Sequence, residues 1–175
     1  MNRWTVYESP FGPLTLVAGP RGLTDLNFPG RLRPPGEAAR EPMADVVEQL
    51  DAYFAGELRS FDLPLDLRGT PLQVAVWRAL LEIPYGKTAS YGEQATRIDP
   101  DLFDPDVEPW QRARVVGAAN GRNPISIIVP CHRVIGADGS LTGYGGGLDR
   151  KRALLDLERR AAGSGDSAGQ QIALI

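Results

Sequence analysis

The periodicity of the apolar residues changes once along this chain, and that change limits the folds open to it. In the first third, "RWTVYES", "PLTLVA" and "GLTDLNF" are short strand-like runs separated by the turn material "PFG" and "GPRG". "GRLRPPGEAAREP" then reads as a linking loop, because Pro34, Pro35 and Gly36 oppose regular structure. From Met43 to Phe54 the spacing becomes helical, with Val47, Leu50 and Phe54 at i, i+3 and i+7. "FDLPLDL" alternates apolar and acidic residues around Pro64, as an edge strand or an extended connection does. A boundary near Arg68–Gly69 closes a β-rich unit, residues 1–68.

Beyond it the helix signals are chemical as well as periodic. Thr70, Pro71 and Gln73 supply a capping hydroxyl, a proline at the first helical position and a reciprocal amide. Val76, Leu80 and Ile83 form the buried face of that helix, and Pro84 stops it. Ser90 and Glu93 repeat the capping pattern ahead of "YGEQATRI", and Pro109 opens "WQRARVVGAANGRN". Two short helices followed by an arginine-bearing helix of small residues suggest a helix-turn-helix. "ISIIV" reads as a buried strand ending at Pro130, Asp138–Gly139 as a hairpin-like turn, and Asp149–Arg160 as a last helix. Strands first and helices afterwards make an α+β chain, with a second domain over 69–160 and a disordered tail over 161–175.

Composition excludes several classes. With 175 residues, 42 % hydrophobic and 23 % charged, the chain is long enough for a real core and has a soluble, globular balance. No apolar run approaches the ~20 residues of a membrane span, and the N-terminus has no signal-peptide core. One cysteine makes no internal disulfide, and with a single histidine it leaves no ligand set for structural zinc. A reducing, cytoplasmic setting follows as the expectation. The net charge of −3 hides an asymmetry. Residues 1–108 carry a net −7 and residues 109–160 a net +5, so the basic surplus surrounds the cysteine. Such a local surplus attracts phosphates, or is simply a solvated face.

The only cysteine and the only histidine are adjacent, Cys131 and His132, after an apolar run and a proline. A nucleophilic cysteine needs a base or a positive field to become thiolate, and His132 is the one imidazole available. Consecutive residues of a strand face opposite sides, so either the chain turns there or something bridges the two side chains. A third group normally holds such a base, and Asp138, Asp149, Asp156 and Glu158 all lie downstream. The run Gly145–Gly147 permits close approach to a flat ligand, or is a flexible turn.

"PCHRVIG", with "NGRNP" before it and "GYGGGLDRKRALLDLE" after it, closely resembles the O6-alkylguanine-DNA alkyltransferase family. The resemblance implies an RNase-H-like N-terminal domain and a C-terminal helix-turn-helix domain carrying the reactive cysteine. It implies that Cys131 takes the alkyl group from guanine O6 in one irreversible turnover. It further implies that His132 deprotonates Cys131 through water, that Glu158 orients His132, and that Asn123 ties the turn to the cysteine segment. Tyr91 would crowd the phosphate and touch the guanine, beside Tyr144, the carbonyl of Val134 and the N–H of Gly145. Arg114 would enter the base stack in place of the flipped nucleotide, and Ala113, Gly117 and Ala118 would let the helix backbone approach the minor groove. The implied partner is double-stranded DNA bearing O6-alkylguanine, bound without regard to sequence by a monomer, with cooperativity along DNA left open. No cofactor, metal or membrane is implied.

The chain departs from the family in one place. Family members join the Tyr91 and Arg114 helices by a brief G-x-P turn, whereas this chain has "IDPDLFDPDVEPW" with Asp99, Asp101, Asp104, Asp106 and Glu108. The insertion is either a loop folded away from DNA or one that modulates contacts. Two other readings of the whole chain are a non-catalytic binder of alkylated DNA and a Cys–His hydrolase. Single-turnover behaviour separates the transferase from the hydrolase, and transfer itself separates it from the binder.

Overall fold

The computed structural model describes residues 2–31 and 39–163, and the chain in it divides into two compact units. One comprises Met1–Arg68 with Pro124–Ile128, the other Gly69–Asn123 with Val129–Ile175. Among the described residues no helix is long and apolar enough to cross a membrane.

The first unit is built on β1 (Arg3–Ser9), β2 (Gly12–Gly19), β3 (Gly22–Asn27) and the two-residue β4 (Ala39–Arg40). Their order in the sheet is β3-β2-β1-β4, with β1–β2 and β2–β3 antiparallel and β4 parallel to β1. Strict alternation would bury every second residue of β2, yet Leu16, Val17 and Ala18 are all buried. The pairing of β2 with β3 shifts register between Val17, opposite Asp25, and Ala18, opposite Leu23, so Thr24 is the extra residue of a bulge in β3, which lets Leu23 and Leu26 both be buried three positions apart. Gly22 has φ +139°, and a Cβ there would collide with the Pro64 carbonyl, which accepts the Leu23 N–H at 2.8 Å. The stretch around Pro64 is an extended connection, bridged to β3 only at Leu65.

Helix α1 (Ala44–Phe54) lies where the spacing put a helix, but on a different face. Val46, Leu50 and Tyr53 are buried, with Met43 just before the helix, whereas Val47 and Phe54 are half-exposed. Two overlapping apolar stripes share Leu50, and burial selects the one carrying the larger Tyr53. Phe54 stacks instead on Tyr7 and meets Phe11 edge-on.

The second unit holds α2 (Pro71–Leu80), β5 (Ala89–Ser90), α3 (Tyr91–Thr96), α4 (Arg112–Gly121), β6 (Val134–Ile135) and α5 (Leu148–Gly163). Both capping boxes form, Thr70 with Gln73 and Ser90 with Glu93, and Val76, Leu80 and Ile83 are buried. Buried amides lock α2, α3 and α4 together. The Trp77 indole donates to the Ala119 carbonyl at 2.9 Å. Gln94 and Asn120 exchange two hydrogen bonds of 2.9 and 2.7 Å, and Gln94 also donates to the Val76 carbonyl. Such a network is stable only if every member is paired, so it fixes the α3–α4 angle more tightly than apolar contact would.

The insertion is ordered. Asp99 and Asp104 accept the N–H groups of Asp101 and Asp106, so these two carboxylates build turns. Phe103 is buried, and the Arg112 guanidinium lies 5.1 Å from its ring centre.

Three expectations change. "ISIIV" is not a strand, because the chain coils through turns there and Ile127 takes φ +73°, a rare and strained value for a β-branched residue. Pro124–Ile128 joins the first unit, where Leu26 N–H donates to the Pro124 carbonyl and Ser126 N–H to the Leu26 carbonyl. Residues 161–163, read as the start of a tail, continue α5, and 164–175 lie outside the described residues.

Candidate active site

Cys131, His132 and Arg133 form a single 3-10 turn rather than the end of a strand. In a 3-10 helix successive side chains diverge by about 120°, against the half-turn of a strand. The chain therefore turns at the cysteine, and neighbouring side chains serve one buried site. Cys131 is 8 % exposed, while His132 and Glu158 are completely buried.

Glu158, two turns along α5 from Lys151, is where the donors converge. Its carboxylate accepts from His132 Nε2 at 2.7 Å, from Arg133 Nε and Nη2 at 2.9 and 3.0 Å, and more distantly from Gly86 N–H at 3.4 Å. Arg133 is itself fixed by donating to the Ile83 carbonyl at 2.7 Å. Burial alone would push the Glu158 carboxyl up, but His132 and Arg133 hold it well below the usual carboxylate range. An ionised carboxylate accepts only, so the His132 proton resides on Nε2. Nδ1 then carries the lone pair, and it has no hydrogen-bond partner among the described residues. Burial pulls the His132 pKa down, outweighing the upward pull of Glu158, so the ring rests neutral. The result is a neutral, oriented imidazole with an open acceptor, an arrangement chemically able to take up a proton.

Since the chain has one histidine, its imidazole is observable without assignment. Its NMR titration midpoint is expected below 6.5, the ordinary value, and a midpoint at or above that value would contradict a buried neutral ring. The sign for stability follows. The unfolded chain takes up this proton first, so unfolding free energy falls as pH drops below about 6.5 and stops falling at the folded midpoint.

Asn123 is buried and its amide donates to the Val129 carbonyl at 2.7 Å and to Cys131 Sγ at 3.2 Å. A donor aimed at sulfur favours the thiolate. Lys151 was not singled out by the sequence. Its side chain is completely buried, donating to the carbonyls of Val134 at 2.5 Å and Thr142 at 2.9 Å. Burial lowers its pKa to about 8, against an opposing pull from Cys131. A signal existed, because this chain uses arginine 17 times and lysine twice, and one of the two lysines lies on the inner face of α5. Arg133 was also missed, although it adjoins the Cys–His pair.

The remaining candidates cluster separately. Tyr91, Ala113, Arg114 and Gly117 line an open groove of about 320 Å³ on α3 and α4. Arg114 and Ala118 are exposed, but Ala118 is not part of this groove. A Cβ on Gly117 would stand 3.5 Å from the Tyr91 ring, ordinary contact, so the glycine keeps the helix surface flat rather than relieving a clash. Tyr91 and Lys151 both donate to the Thr142 carbonyl, which links the groove to the thiol site through one loop. Tyr144 is half-buried and Gly145 exposed in that loop, and the Val134 carbonyl already accepts from Lys151.

Residues 2–67 match the ribonuclease-like domain of 6-O-methylguanine DNA methyltransferase, and residues 71–160 match its DNA binding domain. A methylated-DNA–protein-cysteine methyltransferase of Mycobacterium tuberculosis is 52 % identical over 166 residues, 93 % of this chain and 95 % of the relative. One from Methanosarcina acetivorans is 48 % identical over 160 residues, 89 % and 97 % of the two chains. The crystal structure of M. tuberculosis O6-methylguanine methyltransferase superposes with a TM-score of 0.77 at 52 % identity, covering 92 % of this chain and 94 % of that one. M. tuberculosis OGT in complex with DNA gives the same score and identity, covering 91 % and 94 %.

Proposed function

Because this chain belongs to the 6-O-methylguanine DNA methyltransferase family, we propose that it repairs DNA directly, moving the alkyl group of O6-alkylguanine onto Cys131. The observation that carries the assignment to Cys131 is the open Nδ1 of a buried His132, held by Glu158 beside the only cysteine of the chain. The Cys131 proton passes to Nδ1, through one water where the two do not touch, and the Glu158 carboxylate stabilises the imidazolium. The thiolate, hydrogen-bonded by Asn123, attacks the alkyl carbon as the carbon–O6 bond breaks. The departing guanine anion takes a proton and becomes ordinary guanine. The product is a thioether, which water does not cleave, so each molecule acts once.

The alkyl carbon lies inside a stacked duplex, so the base leaves the stack first, at a cost of a few kcal/mol. Arg114, exposed on the groove with Tyr91, is suited to fill the gap, and the small residues Ala113, Gly117 and Ala118 suit close approach in the minor groove. In this reading Tyr91, Tyr144, Gly145 and the Val134 carbonyl face the flipped guanine. Phosphate contacts supply most of the affinity, so sequence matters little. A monomer suffices, the thiol needs no cofactor, and its need to stay reduced favours the cytoplasm.

The test is mass spectrometry after mixing excess protein with a duplex carrying one O6-methylguanine. One methyl mass on the Cys131 peptide, limited to one per lesion, is the expected result. Binding without that gain would leave a damage sensor, and repeated turnover would mean a hydrolase.

A further inference from the structure

Trp110 is 78 % exposed, the most exposed large apolar side chain among the described residues. It sits in the short 3-10 segment Pro109–Gln111, which runs into α4 through helical backbone at Gln111 and Arg112. It precedes Ala113 and Arg114, which line the Tyr91 groove, by three and four residues, the spacing of one helical face, although Trp110 is not itself part of that groove. The segment is held firmly. Glu108 N–H donates to Gln111 Oε1 at 2.9 Å, and Arg112, two residues on, covers the buried ring of Phe103. The insertion thus buries one of its aromatics and presents the other to solvent. A lone exposed apolar residue is ordinary on a protein surface. One carried on a hydrogen-bonded helical turn, four residues before an exposed arginine in the basic segment 109–160, is well placed to make a contact.

We propose that Trp110 is a second DNA contact, its indole packing on the deoxyribose and base edge of the duplex next to the gap filled by Arg114. The inference rests on the DNA-repair reading above. Four helical residues span about 6 Å, close to two base-pair steps, so both side chains reach one duplex from one helix face. Base–aromatic contact is tolerant of sequence because every base has a π face, which suits a lesion found anywhere. The acidic insertion thereby gains a role: it adds a turn ahead of α4 and carries an aromatic there, while its five acidic residues are exposed.

The experiment uses the full chain carrying Cys131→Ser, so that a complex with an O6-methylguanine duplex forms without reacting. The indole emission is expected to shift to shorter wavelength on binding, and the shift is expected to vanish in Trp110→Phe. Trp77 is buried, so it contributes little to such a change. Trp110→Ala is expected to weaken duplex affinity about tenfold, while Trp110→Phe stays within about threefold of the parent. Affinity of Trp110→Ala within about twofold of the parent overturns the proposal, and so does an emission shift produced by protein concentration alone, which would mark a contact between copies. Failure of the parent to bind the lesion duplex takes down the repair reading and this inference with it.

Discussion

Replacing Glu158 by Gln is expected to slow methyl transfer to Cys131 by a factor on the order of 10² to 10⁴, the usual worth of a positioned general base. Four donors converge on the two carboxylate oxygens: His132 Nε2, Arg133 Nε and Nη2, and Gly86 N–H. An amide in that place turns one acceptor into a donor and sets it against Arg133 or His132. If it faces His132, the ring loses the acceptor that keeps Nδ1 open. Whichever way it faces, the buried Arg133 guanidinium loses the carboxylate charge it is paired with. That loss of charge also costs stability, about 3–5 kcal/mol for breaking a buried pair. At ~2–4 °C per kcal/mol for a chain of this size, the melting temperature falls by roughly 10 °C. Single-turnover transfer on a labelled duplex and a thermal melt measure the two effects separately. A rate within about threefold of the parent, with the protein folded, would remove Glu158 from the mechanism.

Arg114→Ala is expected to lower transfer from a lesion in fully paired duplex by roughly 100-fold, because the gap left by the flipped base then has nothing to fill it. Arg114 is exposed on the groove and accounts for none of the buried packing, so the variant folds. The wedge role makes a second, sharper expectation. Part of the unstacking is already done when the modified guanine stands opposite a mismatched base, so the defect there is smaller. Gel-based transfer assays on the two duplexes read the ratio directly. An equal defect on both would mean that Arg114 acts as a simple phosphate contact, with a salt slope to match.

The candidate site illustrates which signals survive in a linear sequence. Cys131 and His132 stood out by adjacency and scarcity, and Thr70 and Ser90 by the chemistry of helix starts. These are local properties, set by neighbours within four residues. The residues themselves left four downstream carboxylates open as partner of His132, and only resemblance selected Glu158. Geometry now supplies the physical ground, since α5 brings Glu158 to His132 and Arg133 across 26 and 25 positions. Lys151 carries no local mark of burial, because a lysine in a charged helical stretch ordinarily faces water. Its burial depends on the carbonyls of Val134 and Thr142, which nothing in the local sequence around Lys151 announces.

Where strands give way to helices, which helices are capped, and which side chain is the candidate nucleophile are all legible before the chain folds. Each rests on backbone preference or side-chain chemistry that short segments carry within themselves. That "ISIIV" coils instead of extending, that α1 buries the Tyr53 face, and that the Cys131 turn is helical emerge once distant segments meet. An apolar run such as "ISIIV" satisfies strand and coil equally until its hydrogen-bond partners are fixed, and here Leu26, about a hundred residues earlier, supplies them. The strained backbone of Ile127 is tolerable only because those distant contacts hold it, and distant contacts are what no local pattern encodes.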